Sequence, residues 1–254
     1  MQAVFAMAGS PPQHLSNKGS DMDMMLPLYR QYDSGFGAIA DSFKFAADAL
    51  EENPQAGGLE SHLPISFLFR HSIELYLKSC IVIFHRRFNI PYEYTAGGDA
   101  AILVGAKCKL LKDIHALGPL YSHLKSLIDM NVDFLSTLEN SDWVLSADLE
   151  NRVKLIDGMD SSSTFFRYPV TKDKPKDKHK TVVQPNDWEK MVESMNKGAK
   201  PVKAFVFVDD DYNVVESFNY DDDKVSTLTK TLRDTAQDFC GLHMMTVWKL
   251  VERR

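Results

Sequence analysis

Three short segments carry residues whose types and spacing could do chemistry. Arg70, His71, Glu74 and Lys78 fall within eleven residues of one another in Phe69–Ser79, FRHSIELYLKS. His115 opens IHALGPLYSHL, and Arg167 and Tyr168 end the serine-rich SSSTFFRYP. Cleavage of RNA without a metal needs a base for the 2′-hydroxyl, an acid for the leaving oxygen and a cation for the phosphorane. His71 or His115 suits the first two roles, and Arg70, Lys78 or Arg167 the third. The same residues also have purely structural readings. Arg70, Glu74 and Lys78 stand at i, i+4 and i+8, the spacing of an ion-pair ladder along one helix face. His71 beside Arg70 has its imidazole pushed down when the two charges sit close, which suits a base and an inert histidine alike. His115 follows Asp113 at an expected helix start, where a histidine commonly caps or packs. Arg167, flanked by aromatics, can clamp a phosphate or carboxylate with its planar fork, or simply tie its loop to the body of the fold.

Other chemistries find no support in the motifs. The chain has no P-loop, dinucleotide-binding glycine fingerprint, metal-binding cysteine pair or nucleophile elbow, and no cofactor or metal is expected. Asp209–Asp211 and Asp221–Asp223 lack the spacing of a calcium loop and read as a hairpin turn and a helix start. Net charge is −6, so a nucleic-acid site would have to be a local patch. The lysine-rich run 172–180 could follow a phosphate backbone, but Asp173 and Asp177 dilute it and an exposed linker is the simpler reading. Cys80, Cys108 and Cys240 are odd in number and widely spaced, which suits buried free thiols in a reducing cytoplasm. Apolar runs are interrupted by charge before they reach a spanning length, and the first residues lack a basic leader. The expectation is a cytoplasmic chain without membrane contact.

The elements that must position these residues are mostly helices. His62–Phe88 has Pro64 in its first turn and no further Pro or Gly until Pro91. It is apolar around most of its circumference, with Arg70, His71, Glu74, Lys78 and His85 gathered on an arc of roughly 100°. Such a helix belongs at the centre of the fold, and its charged seam is expected to reach water, a partner chain or a ligand, because unpaired buried charge is costly. Residues 1–30 read as a flexible tail and 31–254 as one helical domain. A helix capped by Asp33 or Ser34 should run to Asn53, and another should start at Asp113. Residues 89–112 read as a surface insertion whose AILVG is a short strand or a turn of helix. One or two helices over 132–157, an exposed connector over 170–185, a short helix over 186–196, a β-hairpin over 202–218 and a last helix from about 221 to 252 complete the chain.

Taken in order, the three segments resemble the HEPN (higher eukaryotes and prokaryotes nucleotide-binding) superfamily. The pattern E-L-x-L-K corresponds to Glu74, Leu75, Leu77 and Lys78, the H-x-L that opens a later helix to His115 and Leu117, and the serine-rich F-R-Y-P loop to Phe166–Pro169. The resemblance implies a mainly α fold, an up-and-down bundle of four to five helices, here with a small β-hairpin insertion. It implies a homodimer with its working cleft between subunits, and RNA, a nucleotide or a protein as partner. Many such proteins are metal-independent ribonucleases of toxin–antitoxin or antiviral defence systems, and others only bind. On the nuclease reading Arg70, His71 and His115 would be catalytic, with Glu74, Lys78, Arg167 and Tyr168 holding the ligand. The nuclease branch also carries Arg, four to six residues, then His. Here Arg70 and His71 are adjacent, and nine residues separate Arg233 from His243.

Overall fold

The computed structural model describes residues 26–56, 58–92, 100–199 and 202–251. Residues 1–25, the larger part of the expected tail, lie outside them; Leu28–Arg30, its end, form one 3-10 turn. The fold is mainly helical with two small sheets. Helix α1 is Phe36–Glu52 and α2 is His62–Arg87. A hairpin of β1 (Ala101–Val104) and β2 (Lys107–Leu110) turns at Gly105, whose φ of +63° favours glycine, so AILVG is a strand. Then come α3 (Leu117–Met130), α4 (Val132–Ser136) and α5 (Ala147–Asp160).

The expected 170–185 connector is not a loose linker. It holds the single turn α6 (Lys174–Asp177) and the strand β3 (Val183–Pro185). Lys180 is buried there, donating to the Tyr168 carbonyl at 2.8 Å and pairing with Asp177 at 2.7 Å. Helix α7 (Trp188–Asn196) is capped by Asp187. The strands β4 (Lys203–Val208) and β5 (Val214–Tyr220) form the expected hairpin, but β3 adds to the other edge of β5, giving the antiparallel order β3-β5-β4. Helix α8 (Asp223–Thr246) passes into a π-helical turn, Val247–Val251. Among the described residues no helix is long and apolar enough to cross a membrane. Cys80 and Cys240 are buried thiols as expected, whereas Cys108 is exposed on β2.

Helix α2 is the axis of the arrangement: α1, α3 and α8 all pack on it. From Phe69 to His85 it is buried on nearly every side, which its all-round apolar sequence dictates. Its end is equally determined. Arg86 and Arg87 complement the negative end of the helix dipole. Asn89 then takes the left-handed conformation (φ +51°) while the Ile90 N–H donates back to the His85 carbonyl at 2.9 Å, a Schellman stop.

One buried carboxylate ties α1 to this axis. Asp33 Oδ1 accepts the Gly35 N–H at 2.8 Å, while Oδ2 accepts the Gly37 N–H and the Ser79 hydroxyl, both at 2.6 Å. Asp33 thus caps α1 and anchors it to α2 together. Burial by itself would raise this carboxyl; the nearby His243 ring and the hydrogen bonds from Ser79, Gly37 and Gly35 prevail and hold it at about 2. A carboxyl with a depressed folded-state value contributes stability above its unfolded value of 3.8 and loses it as the pH falls through about 2. That difference is worth about 2 kcal/mol. In urea unfolding, the stability gap between wild type and Asp33→Asn should therefore narrow by about 2 kcal/mol from pH 5 to pH 2. A constant gap would show that Asp33 is not held ionised. Gly37 lies so close to the His243 ring and to Asp33 that an added Cβ would meet both, 2.7 Å from Asp33 Oδ2. Gly37→Ala should cost roughly 1–3 kcal/mol by overpacking, read from the same urea midpoints.

Candidate functional site

The charged arc of α2 is buried, contrary to expectation. Arg70 is 0% exposed, Glu74 1% and Lys78 2%. The arc was expected to need water or a partner, and it is closed from within the chain instead. Arg70 Nη1 donates to Glu74 Oε2 at 2.7 Å, and Lys78 Nζ donates to Glu74 Oε1 at 2.8 Å. Beyond the ladder, Arg70 Nε lies 3.5 Å from the Asp160 carboxylate and 3.3 Å from the Asp160 carbonyl, to which Nη2 also donates at 3.1 Å. Nη2 reaches the His115 carbonyl as well, and Lys78 Nζ donates to the Lys112 carbonyl at 3.2 Å. Two cations thus meet two carboxylates, and the carbonyls of Asp160, His115 and Lys112 take up further donors. Such an arrangement is the condition under which charge can be buried at tolerable cost. Burial pushes the Glu74 carboxyl up, but Lys78 and Arg70 outweigh it and keep the group below the ordinary range, hence ionised.

His115 enters this cluster by a route the periodicity did not predict. The helix expected from Asp113 begins at Leu117 instead, where Asp157 Oδ1 accepts the Leu117 N–H at 2.7 Å. Leu111–Asp113 form a 3-10 turn and Ala116 is extended. His115 therefore sits in a link, not in a helical first turn. Its carbonyl meets Arg70, and its Nδ1 lies 3.1 Å from Glu74 Oε1. An ionised carboxylate only accepts, so Nδ1 carries the hydrogen and the lone pair of a neutral ring is at Nε2. The side chain is 48% exposed, so a buried Glu74 orients an imidazole that reaches solvent.

His71, expected in the same role, is placed otherwise. Its ring packs edge-on to Phe43 (centroids 4.6 Å apart) and stacks on Phe67 (5.7 Å). Burial lowers its pKa; Glu74 opposes this, and Arg70, Lys78 and His115 add to it. This is a packing environment. Arg233 and His243 likewise serve α8: Arg233 pairs with Glu51 at 3.0 Å, and His243 is buried 3.7 Å from Asp33 Oδ2.

The loop after α5 depends on Asp160, a residue that sequence reasoning missed. Its Oδ1 accepts the N–H groups of Thr164 (2.7 Å) and Phe165 (3.0 Å), so the carboxylate that faces Arg70 also shapes the serine-rich loop. The signal available was D-S-S-S-T, an aspartate ahead of turn-forming hydroxyl residues. Arg167 and Tyr168 are exposed on this loop. The Arg167 guanidinium lies over Phe67 (5.9 Å) and Tyr168 (5.3 Å) and makes only long bonds, 3.4 Å to the Ser163 carbonyl and 3.3 Å to the Tyr168 hydroxyl. Behind the loop lies a recess of about 470 Å³. Ser161, Ser162, Thr164, Tyr168 and Lys172 line it together with Lys176, whose ammonium group lies 3.5 Å from Asp173 and donates to the Gly158 carbonyl at 2.9 Å. Among the described residues no three metal-ligating side chains cluster.

No family model, curated protein or solved structure matches this chain. The site rests on its own geometry.

Because the cluster is buried and complete, removing its shared anion leaves Lys78 without a carboxylate and Arg70 with Asp160 alone. Glu74→Gln should cost roughly 3–5 kcal/mol. Replacing all four, Arg70→Met with Glu74→Leu, Lys78→Met and Asp160→Asn, should recover part of that loss, since no buried charge is then left without its counterion. Chemical denaturation of the two proteins tests this; a Glu74→Gln midpoint close to wild type would mean that Arg70 and Lys78 find compensation elsewhere.

Proposed function

We propose that this chain is a HEPN-like helical-bundle module that binds a phosphate-bearing ligand, a nucleotide or RNA, without cleaving it. The observation that carries the reading is the internal neutralisation of Arg70 and Lys78. A nuclease needs a cation free to meet the charge that develops on the phosphorane. Here Arg70 and Lys78 are committed to Glu74 at 2.7 and 2.8 Å and are out of solvent's reach. Cationic and hydroxyl groups are still offered at the α5 loop. Exposed Arg167 can present its fork to a phosphate. Tyr168 offers a ring face for a base, and Lys172 and Lys176 border the recess beside Ser161 and Ser162.

A specific observation favours a second reading, cleavage of RNA by His115. Glu74 holds that imidazole by Nδ1 and leaves Nε2 as a base near solvent. In it Glu74 positions and His115 abstracts the proton, while Arg70 and Lys78 serve only to keep Glu74 ionised.

Fluorescence-anisotropy titration of a labelled single-stranded oligoribonucleotide and of ATP separates these readings. On the binding reading wild type binds one of them, the RNA stays intact on gels, and Arg167→Ala with Lys172→Ala weakens binding about tenfold with a shallower salt dependence. Fragmentation that is lost in folded His115→Ala would instead establish the second reading. Unchanged affinity in Arg167→Ala, Lys172→Ala would remove the α5 loop as the binding surface.

A further inference from the structure

A second pair of histidines lies away from this cluster, near the C-terminal end of α2. The Nε2 atoms of His85 on α2 and His123 on α3 stand 3.0 Å apart, with the ring centroids 5.3 Å apart and only 15° between the planes, so the rings meet end to end. His85 is fixed from two further directions. Its Nδ1 lies 3.1 Å from the Ile90 carbonyl, and its ring stacks on Tyr92 with centroids 4.2 Å apart. A carbonyl oxygen only accepts, so Nδ1 of His85 carries its hydrogen and the Nε2 lone pair of the neutral ring points at His123. In the metal-free protein the His123 Nε2–H fills the gap by donating to that lone pair.

We propose that His85 and His123 form a bidentate site for a divalent late first-row metal ion, of the zinc, nickel or copper class. Imidazole nitrogen is a ligand these ions share. The pair has the features of such a site. A ligating histidine characteristically gives its other ring N–H to a backbone carbonyl, the role of Ile90, which sets the tautomer and aims the ring. Two nitrogens at about 2.0–2.1 Å from one tetrahedral ion lie roughly 3.3 Å apart, so the nitrogens need part by only a few tenths of an ångström, while the rings together tilt by roughly 70° to turn their lone pairs from each other to the ion. Proton accounting is simple: the hydrogen on His123 Nε2 moves to its Nδ1, both lone pairs then face the ion, and neither ring changes charge. His123 is partly exposed, which gives an ion and its remaining water ligands a way in. The Schellman stop that places Ile90 beside His85 is therefore also what prepares the site.

Titration calorimetry of the full chain with Ni²⁺ and with Zn²⁺ tests this, beside His123→Gln and His179→Gln. His179 is an exposed histidine outside the pair and reports background binding. Wild type and His179→Gln should share a saturable site of one ion per chain, weakened at least about tenfold in His123→Gln, since outer partners of such ligands alone are worth that much. The ion should also raise the melting temperature of wild type and not that of His123→Gln, because it bridges α2 and α3. Circular dichroism and the metal-free melting temperature establish that His123→Gln is folded. Equal affinity in folded His123→Gln, or no one-to-one binding by wild type below about 1 mM, a ceiling beyond which binding carries little free energy, would overturn the assignment.

Discussion

Burial of the Arg70–Glu74–Lys78 ladder is the constraint on which the rest of the structure depends. An α2 that is surrounded by α1, α3 and α8 cannot turn a charged arc to water, so the fold must bring counterions and acceptors to it. It does so from two places. The 111–116 link supplies the carbonyls of Lys112 and His115, and the end of α5 supplies Asp160. Those segments are irregular for the same reason. A helix beginning at Asp113 would place residues 112–115 in or beside its first turn, where their carbonyls would be committed to intrahelical bonds. Asp157 holds the start of α3 back to Leu117 and so leaves these carbonyls to the two cations.

The same closure decides what chemistry remains. Charges that satisfy one another in a dry interior fix geometry well and respond poorly to a ligand, because any new contact must first break a bond that nothing replaces. Groups joined to the cluster at its edge are in a different position. His115 is oriented by Glu74 but reaches solvent, and the serine-rich loop is shaped by Asp160 while Ser161, Ser162 and Arg167 stay outside. The buried ladder is best understood as the frame of the site, and the exposed edge as its working face.

Much of this fold was legible because its signals are local. The limits of α2, the Asp187 cap of α7 and the β4–β5 hairpin each follow from residues within one or two turns of the feature they set. What was not legible depended on partners far apart in sequence. The expected exposure of the α2 arc failed because Asp160, ninety residues away, is invisible to helical periodicity. The expected connector at 170–185 is largely exposed, but its order was not visible, because β3 finds its pairing in β5, and Lys180 its carbonyl in Tyr168. Asp33, noted only as a cap, proved to be a tie between helices through Ser79.

The histidines show why residue type alone could not locate the site. His71, His85 and His115 were all visible, and nothing in the sequence ranked them. Between phenylalanines His71 has no hydrogen-bonded orienting group among the described residues, so its ring is held by packing. His85 and His115 each have one nitrogen tied to an oxygen that can only accept, which fixes the tautomer and presents the other nitrogen. In His115 the presented nitrogen belongs to a ring open to solvent; in His85 it meets a second imidazole. Function in such a side chain is set by what fixes the far nitrogen and what the near one faces. Both are tertiary facts, supplied here by a delayed helix start at Leu117 and a Schellman turn at Asn89.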